Sequence, residues 1–216
     1  MFIDCVIPHH NEGIFIEMAH ELGYSALCFL YTPEHPPRPL EHLSFSPLKL
    51  YSGSLSLKLP SDLVIVKSSE DDRHALESLP IDGIFSLEEG HKKDFLHHRA
   101  SGLNHIFCSI AAQQRKLIVF NFSSLLYSRK KDVLMGRITQ NVRLCRKYNT
   151  EMSIMSFAAS PYDMRSPHDL LSLYKTLGMT HVEARCALSS AEERIITNRK
   201  KKKYGFFSDK ITILDE

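Results

Sequence analysis

The chain has 216 residues, 43% of them hydrophobic and 24% charged, which excludes disordered and fibrous classes. No apolar run reaches the roughly 18 residues a transmembrane helix needs, and no basic region leads into a signal-peptide core, so a cytoplasmic chain without a membrane partner is expected. The net charge of +2 hides an asymmetry: residues 129–148 hold seven Lys/Arg and one acid, residues 199–203 hold five Lys/Arg and none, and the other 191 positions carry 15 basic against 24 acidic side chains.

From the N-terminus, apolar runs alternate with longer amphipathic segments, the rhythm of βα units around a parallel sheet. Strands are expected at Phe2–Ile7, Ala26–Leu30, Leu48–Tyr51, Leu63–Val66, Gly83–Phe85, Leu117–Asn121, Met152–Met155 and His181–Glu183. Runs such as "LVIV" and "LIVF" are apolar throughout rather than alternating, as strands covered on both faces require. The stretch Tyr31–Pro47 holds five prolines without periodicity and reads as a long βα connection.

The helices between these strands have legible ends. In "SPHDLLSLYKTLGM", Ser166 is an N-cap, Pro167 takes the first helical position and Gly178 is the C-terminal stop. In "VLMGRITQNVRLCRKY", residues Leu134, Met135, Ile138, Val142 and Cys145 fall on one arc. Ser189 with Glu192 predicts a capping box for a last helix running into "RKKKK". The whole reads as an α/β, TIM-barrel-like (β/α) barrel over residues 1–198, with a basic C-terminal segment at 199–216; a flattened or seven-stranded form fits equally.

Catalytic groups of such a barrel belong on the loops after the strands. A catalytic metal would need three or more converging donors there. Near strand ends the hard ligands are Asp4, Glu70, Glu88 and Glu89, with His9 and His10 just beyond the first strand. Adjacent histidines in extended chain point apart and grip one ion poorly. The sequence has no Gly-x-Ser-x-Gly elbow, no His-Glu-x-x-His and no phosphate loop. Lys67 stands where a Schiff-base lysine would, without recognisable acid/base partners. The five cysteines show no Cys-x-x-Cys pair and read as reduced core thiols. No catalytic residue and no metal ligand is therefore assigned.

The basic segments are better placed for phosphates. Arg129, Lys130 and Lys131 precede the long helix, and Arg143, Arg146 and Lys147 lie outside its apolar arc, with Asp132 the one local acid. These six are the expected nucleic-acid contacts, with Lys67 and Arg165 as additions and Arg199, Lys200 and Lys201 as sequence-independent backbone contacts.

Several phrases together resemble the ribonuclease P protein component 3 family, the 30-kDa protein type of archaea and eukaryotes. They are "LGYSAL" (22–27), "DLVIVKSSE" (62–70), "GLNHIFCSIAAQQRKLIVFNFSSLL" (102–126), "NVRLCRKY" (141–148), "DMRSPHDLLSLYKTLGM" (163–179) and "EARCALS" (183–189). "IPHHNEG" and "IFSLEEGHKKDF" match it more loosely. The resemblance implies a barrel related to the polymerase and histidinol phosphatase superfamily but without its metal-dependent activity. It also implies a subunit of a ribonucleoprotein whose RNA, with Mg ions, removes the 5′ leader of precursor tRNA. Its partners would be ribonuclease P RNA, component 2 and other protein subunits, with precursor tRNA met indirectly and no cofactor in this chain. The competing expectation is a metal-dependent phosphoesterase of that superfamily, with ligands from Asp4, His9, His10 and Glu89.

Overall fold

The computed structural model describes residues 1–37, 48–90, 93–95 and 97–204. Seven parallel strands follow chain order: β1 (Ile3–Val6), β2 (Ala26–Tyr31), β3 (Lys49–Ser54), β4 (Leu63–Lys67), β5 (Gly83–Phe85), β6 (Leu117–Asn121) and β7 (Met152–Met155). Among the described residues eight α-helices flank them: α1 (Glu12–Glu21), α2 (Asp72–Glu77), α3 (His105–Gln113), α4 (Phe122–Tyr127), α5 (Lys131–Tyr148), α6 (Pro167–Thr176), α7 (His181–Ala187) and α8 (Ser190–Tyr204). Most of the proline-rich stretch and residues 205–216 of the C-terminal segment lie outside the described residues.

The strands separate two buried faces. Ile3 and Cys5, Ala26, Cys28 and Leu30, and Leu117 and Val119 fill the interior, whereas Leu27 and Phe29 face α1, and Ile118 and Phe120 face the helices of the other side. Residues two apart share a face, so strands buried on both faces must be apolar at every position.

The eighth expected strand is a helix. Thr180 Oγ1 accepts from Glu183 N at 3.2 Å while Glu183 Oε2 accepts from Thr180 N at 2.7 Å, a capping box that starts α7 where extended chain was expected. Closure then falls to β1 and the exit of β7. Phe157 N donates to Cys5 O and Ile7 N to Ala158 O, both at 2.9 Å, while Ile3 N donates to Leu188 O at 3.1 Å. Asp4, fully buried, ties the same seam: its Oδ1 accepts from Ser156 N and Cys5 N, each at 2.8 Å. Burial pushes its carboxyl up to about 6, although these hydrogen bonds pull the other way.

Ser166 and Pro167 open α6 as expected, with Ser166 Oγ accepting from Asp169 N at 3.1 Å, and Gly178 follows it at φ +104°. The expected Ser189–Glu192 box does not form. Glu192 is drawn under the barrel, where Oε1 accepts from Lys49 Nζ at 3.0 Å and Tyr51 Oη at 3.1 Å; Ser189 Oγ donates to Glu193 instead. Helix α8 closes the end from which the strands start, with Ala191 and Ile195 entering the interior and Asn198 donating to Asp62 O and Asp82 Oδ1. Four of the free cysteines are buried; Cys186, on α7, is exposed, against the expectation of core thiols throughout.

Replacing Asp4 by Ala leaves the buried Ser156 N–H without an acceptor and should cost about 2–3 kcal/mol in urea unfolding. Asp4→Asn keeps an oxygen in place and should cost less than half of that.

Candidate nucleic-acid interface

At the exit ends of β4, β5 and β6 the polar side chains bind one another. Glu89, in the turn Leu87–Glu89, accepts from Ser86 Oγ at 2.7 Å and from Ser124 Oγ, and its Oε2 lies 3.2 Å from Lys67 Nζ. Burial works against its charge, but the two hydroxyls and the Lys67 ammonium outweigh it and hold the carboxyl below the usual range. Asn121 joins from β6, with Nδ2 3.5 Å from Ser86 Oγ and Oδ1 accepting from Ser124 N. Ser86 takes up a left-handed φ of +61° to enter this network.

The possible metal donors are distributed otherwise. Asp4 is spent on the seam, and His9 and His10 are exposed beside His35, their ring centroids 5.2 and 6.2 Å from it. Glu88 points into the core, where burial pushes its carboxyl up to about 7. Among the described residues no three His, Cys, Asp or Glu side chains converge to hold a metal ion.

The basic residues divide into structural cations and free ones. Arg137, on the inner side of α5, is buried; its Nε donates to Asp94 at 2.8 Å and its Nη1 to Glu88 O and Gly90 O. Arg146 clamps the start of α7, giving two hydrogen bonds to the Glu183 carboxylate at 2.6 and 2.7 Å and one to Gly178 O. That pairing pulls the Glu183 carboxyl down to about 2. Arg165 donates to Tyr162 O and Met164 O and lies 5.9 Å above Phe122. Arg199 makes two hydrogen bonds to Asp62 and stacks 4.7 Å over Tyr51.

Arg129, Lys130, Lys131, Arg143 and Lys147 are exposed along the entry and outer face of α5, with the Lys147 ammonium 5.5 Å from the Tyr148 ring. Lys200 and Lys201 are exposed on α8, which continues through the basic cluster to Tyr204. They share the entry end of the barrel with the α8 contacts, whereas Lys67 lies at the opposite, exit end. Charge counting finds all of these positions, but only packing separates Arg137 and Arg146 from their neighbours.

Sequence reasoning missed the cleft beside α5, lined by Phe95, His98, Arg99, Gly136, Gln140 and Arg143 among others. Its signal was a glycine inside a long helix. A Cβ on Gly136 would strike the Arg99 guanidinium that lies across it.

This architecture defines a seven-stranded, TIM-barrel-like (β/α) barrel. The solved histidinol phosphate phosphatase of Lactococcus lactis, complexed with zinc, L-histidinol and phosphate, shares the fold at TM-score 0.55 and 11% identity, over 83% of this chain and 94% of that one. A protein chain in the cryo-EM structure of archaeal ribonuclease P with mature tRNA fits better, at TM-score 0.79 and 19% identity over 99% and 98% of the two chains. The model of the RNase P subunit p30 family matches residues 62–204, and the chain belongs to that family. Ribonuclease P protein component 3 of Methanosarcina acetivorans is 30% identical over 171 residues, 76% of this chain and 66% of that protein. Its counterpart in Methanosarcina barkeri is 27% identical over 222 residues, 92% and 87% of the two.

Two outcomes follow from the buried and paired groups. Glu88 has a folded pKa above its unfolded value, so its contribution is fully present below about pH 4.5 and is lost as pH rises through about 7. Glu88→Gln should remove a loss of about 3 kcal/mol across that interval, so the variant should gain on the wild type between pH 5 and pH 8 in denaturant titrations. Arg146→Glu should lower stability by about 1–2 kcal/mol, whereas Arg143→Glu should leave the melting temperature within a degree or two.

Proposed function

We infer that the chain is a protein subunit of ribonuclease P, acting as a scaffold for the catalytic RNA in removal of the 5′ leader of precursor tRNA. The observation that carries this is the family match over residues 62–204, which covers the strand-end network and the whole of α5. Strand-end carboxylates tied to hydroxyls, a lysine and backbone N–H groups suit a barrel whose task is shape and charge. The chemistry belongs to the RNA and its Mg ions, and this chain brings no cofactor of its own.

Arg129, Lys130, Lys131, Arg143 and Lys147 neutralise RNA phosphates along α5. Each such contact releases counterions, so affinity falls steeply with salt. Lys200 and Lys201 supply a second contact line on α8, and Lys67 and Arg165 lie close enough to the exit end to take part there. Arg146 and Arg199 serve mainly to hold α7 and α8 in place. Component 2 and the other protein subunits dock on the side where α3 presents Ile106 and α4 presents Tyr127, both exposed. Free thiols suit a reducing, cytosolic compartment.

Reconstitution tests the role directly: precursor tRNA cleavage with RNA and partner proteins should be slower when this chain is left out. Arg143→Glu with Lys147→Glu should lower the slope of log affinity against log salt by about 1.5–2 at unchanged melting temperature. An unchanged slope would remove this helix face from the interface.

A further inference from the structure

We propose that the cleft between α5 and residues 93–95 and 97–101 is a binding site for an unpaired nucleotide of RNA, with its base stacked on the Phe95–His98 pair and its phosphate on Arg143. This site deepens the ribonuclease P role and rests on it for the identity of the RNA.

Asp94, Phe95 and residues 98–101 are well anchored by hydrogen bonds for positions so exposed. Gln140 grips the backbone of Arg99 from both sides, Oε1 accepting from its N–H and Nε2 donating to its carbonyl, each at 2.9 Å, and Nε2 reaches Ser101 Oγ at 2.8 Å. Asp94 is fixed by Arg137 at 2.8 Å, Arg99 at 3.1 Å and Ala100 N at 3.0 Å. Phe95 N donates to His98 O at 2.9 Å and closes the turn.

The turn presents an aromatic plane. The Phe95 and His98 rings stack with centroids 4.5 Å apart and planes 18° apart, yet Phe95 remains 60% exposed. A large apolar ring on a pinned surface turn buries little in this chain and offers one π-face to a ligand. The cleft beside it has a volume of about 560 Å³, room for a nucleotide.

Its charge selects an anion. Among the described residues that line the cleft, Asp94 is the one carboxylate, and Arg99 and the buried Arg137 behind it already occupy it. Arg143, exposed on α5, lines the cleft as well. A π-face beside a guanidinium fits a base and its phosphate; an acidic peptide would use the cation and leave the ring idle, and a duplex would keep its bases stacked within itself.

The test is fluorescence anisotropy of the full chain with a ten-nucleotide oligo(A), a ten-base-pair RNA duplex and a ten-residue poly-Glu peptide, over a salt series. Oligo(A) should bind tightest. Phe95→Ala should weaken it about 5- to 100-fold at every salt concentration without changing the slope, and Phe95→Trp should restore binding. Arg143→Ala should instead lower the slope by about 0.7. Oligo(A) affinity indifferent to Phe95→Ala, or peptide binding as tight as oligo(A), overturns the site. A chain that supports reconstituted cleavage but whose oligo(A) affinity ignores Phe95 keeps its place in ribonuclease P and loses this site. One that fails in reconstitution while stacking oligo(A) through Phe95 keeps the site and loses the role.

Discussion

The seam between β1 and the exit of β7 is the constraint on which the barrel depends. With seven strands, the ring closes through the Cys5–Phe157 and Ile7–Ala158 backbone bonds and the carboxylate of Asp4. A carboxylate costs free energy to bury, and the raised pKa of Asp4 records that cost. Its Oδ1 offsets part of it by accepting two backbone N–H groups from the two sides of the seam. The metal-ligand candidate of the first strand is thus a closing element of the sheet.

A second buried charge organises the exit end. Arg137 reaches from α5 to Glu88 O, Gly90 O and Asp94, so one guanidinium sets the path of the chain after β5. That path puts Glu89 against Ser86, Ser124 and Lys67, and delivers Phe95 and Arg99 to the outer side of α5. Breaking such a pair would strand a buried charge, which makes Arg137 a poor residue for contacting a partner and a strong one for shaping the surface that does. Gly136 completes the arrangement by giving the Arg99 guanidinium a place to lie.

The electrostatic picture follows from which cations are already paired. Arg146 is bidentate to the Glu183 carboxylate, and Arg199 gives two hydrogen bonds to Asp62 Oδ2, with distances in the range of charge-assisted bonds. Arg143 and Lys147 make no such carboxylate pair among the described residues and stay solvated on the helix surface. The face of α5 is therefore less positive than its composition implies, with its exposed charge at the helix entry, at Arg143 beside the cleft and at Lys147 near the helix end.

The sequence by itself determined the parallel α/β class, seven strand positions, the Ser166–Pro167 start of α6 and the family. These rest on local signals: continuous apolar runs for doubly covered strands, short-range capping chemistry and ordered motif phrases. The helix at "HVE" also rests on a local signal, the Thr180–Glu183 capping box, masked by a short apolar pattern that suits a strand as well; tertiary structure decided the rest. It drew Glu192 away from Ser189, because Lys49 and Tyr51, far off in the chain, compete for its carboxylate. It also separated structural from free arginines and assembled the Phe95–Arg143 cleft. Those outcomes depend on partners some 40 to 140 positions apart in the chain, and pairing at that range is set by how the barrel closes.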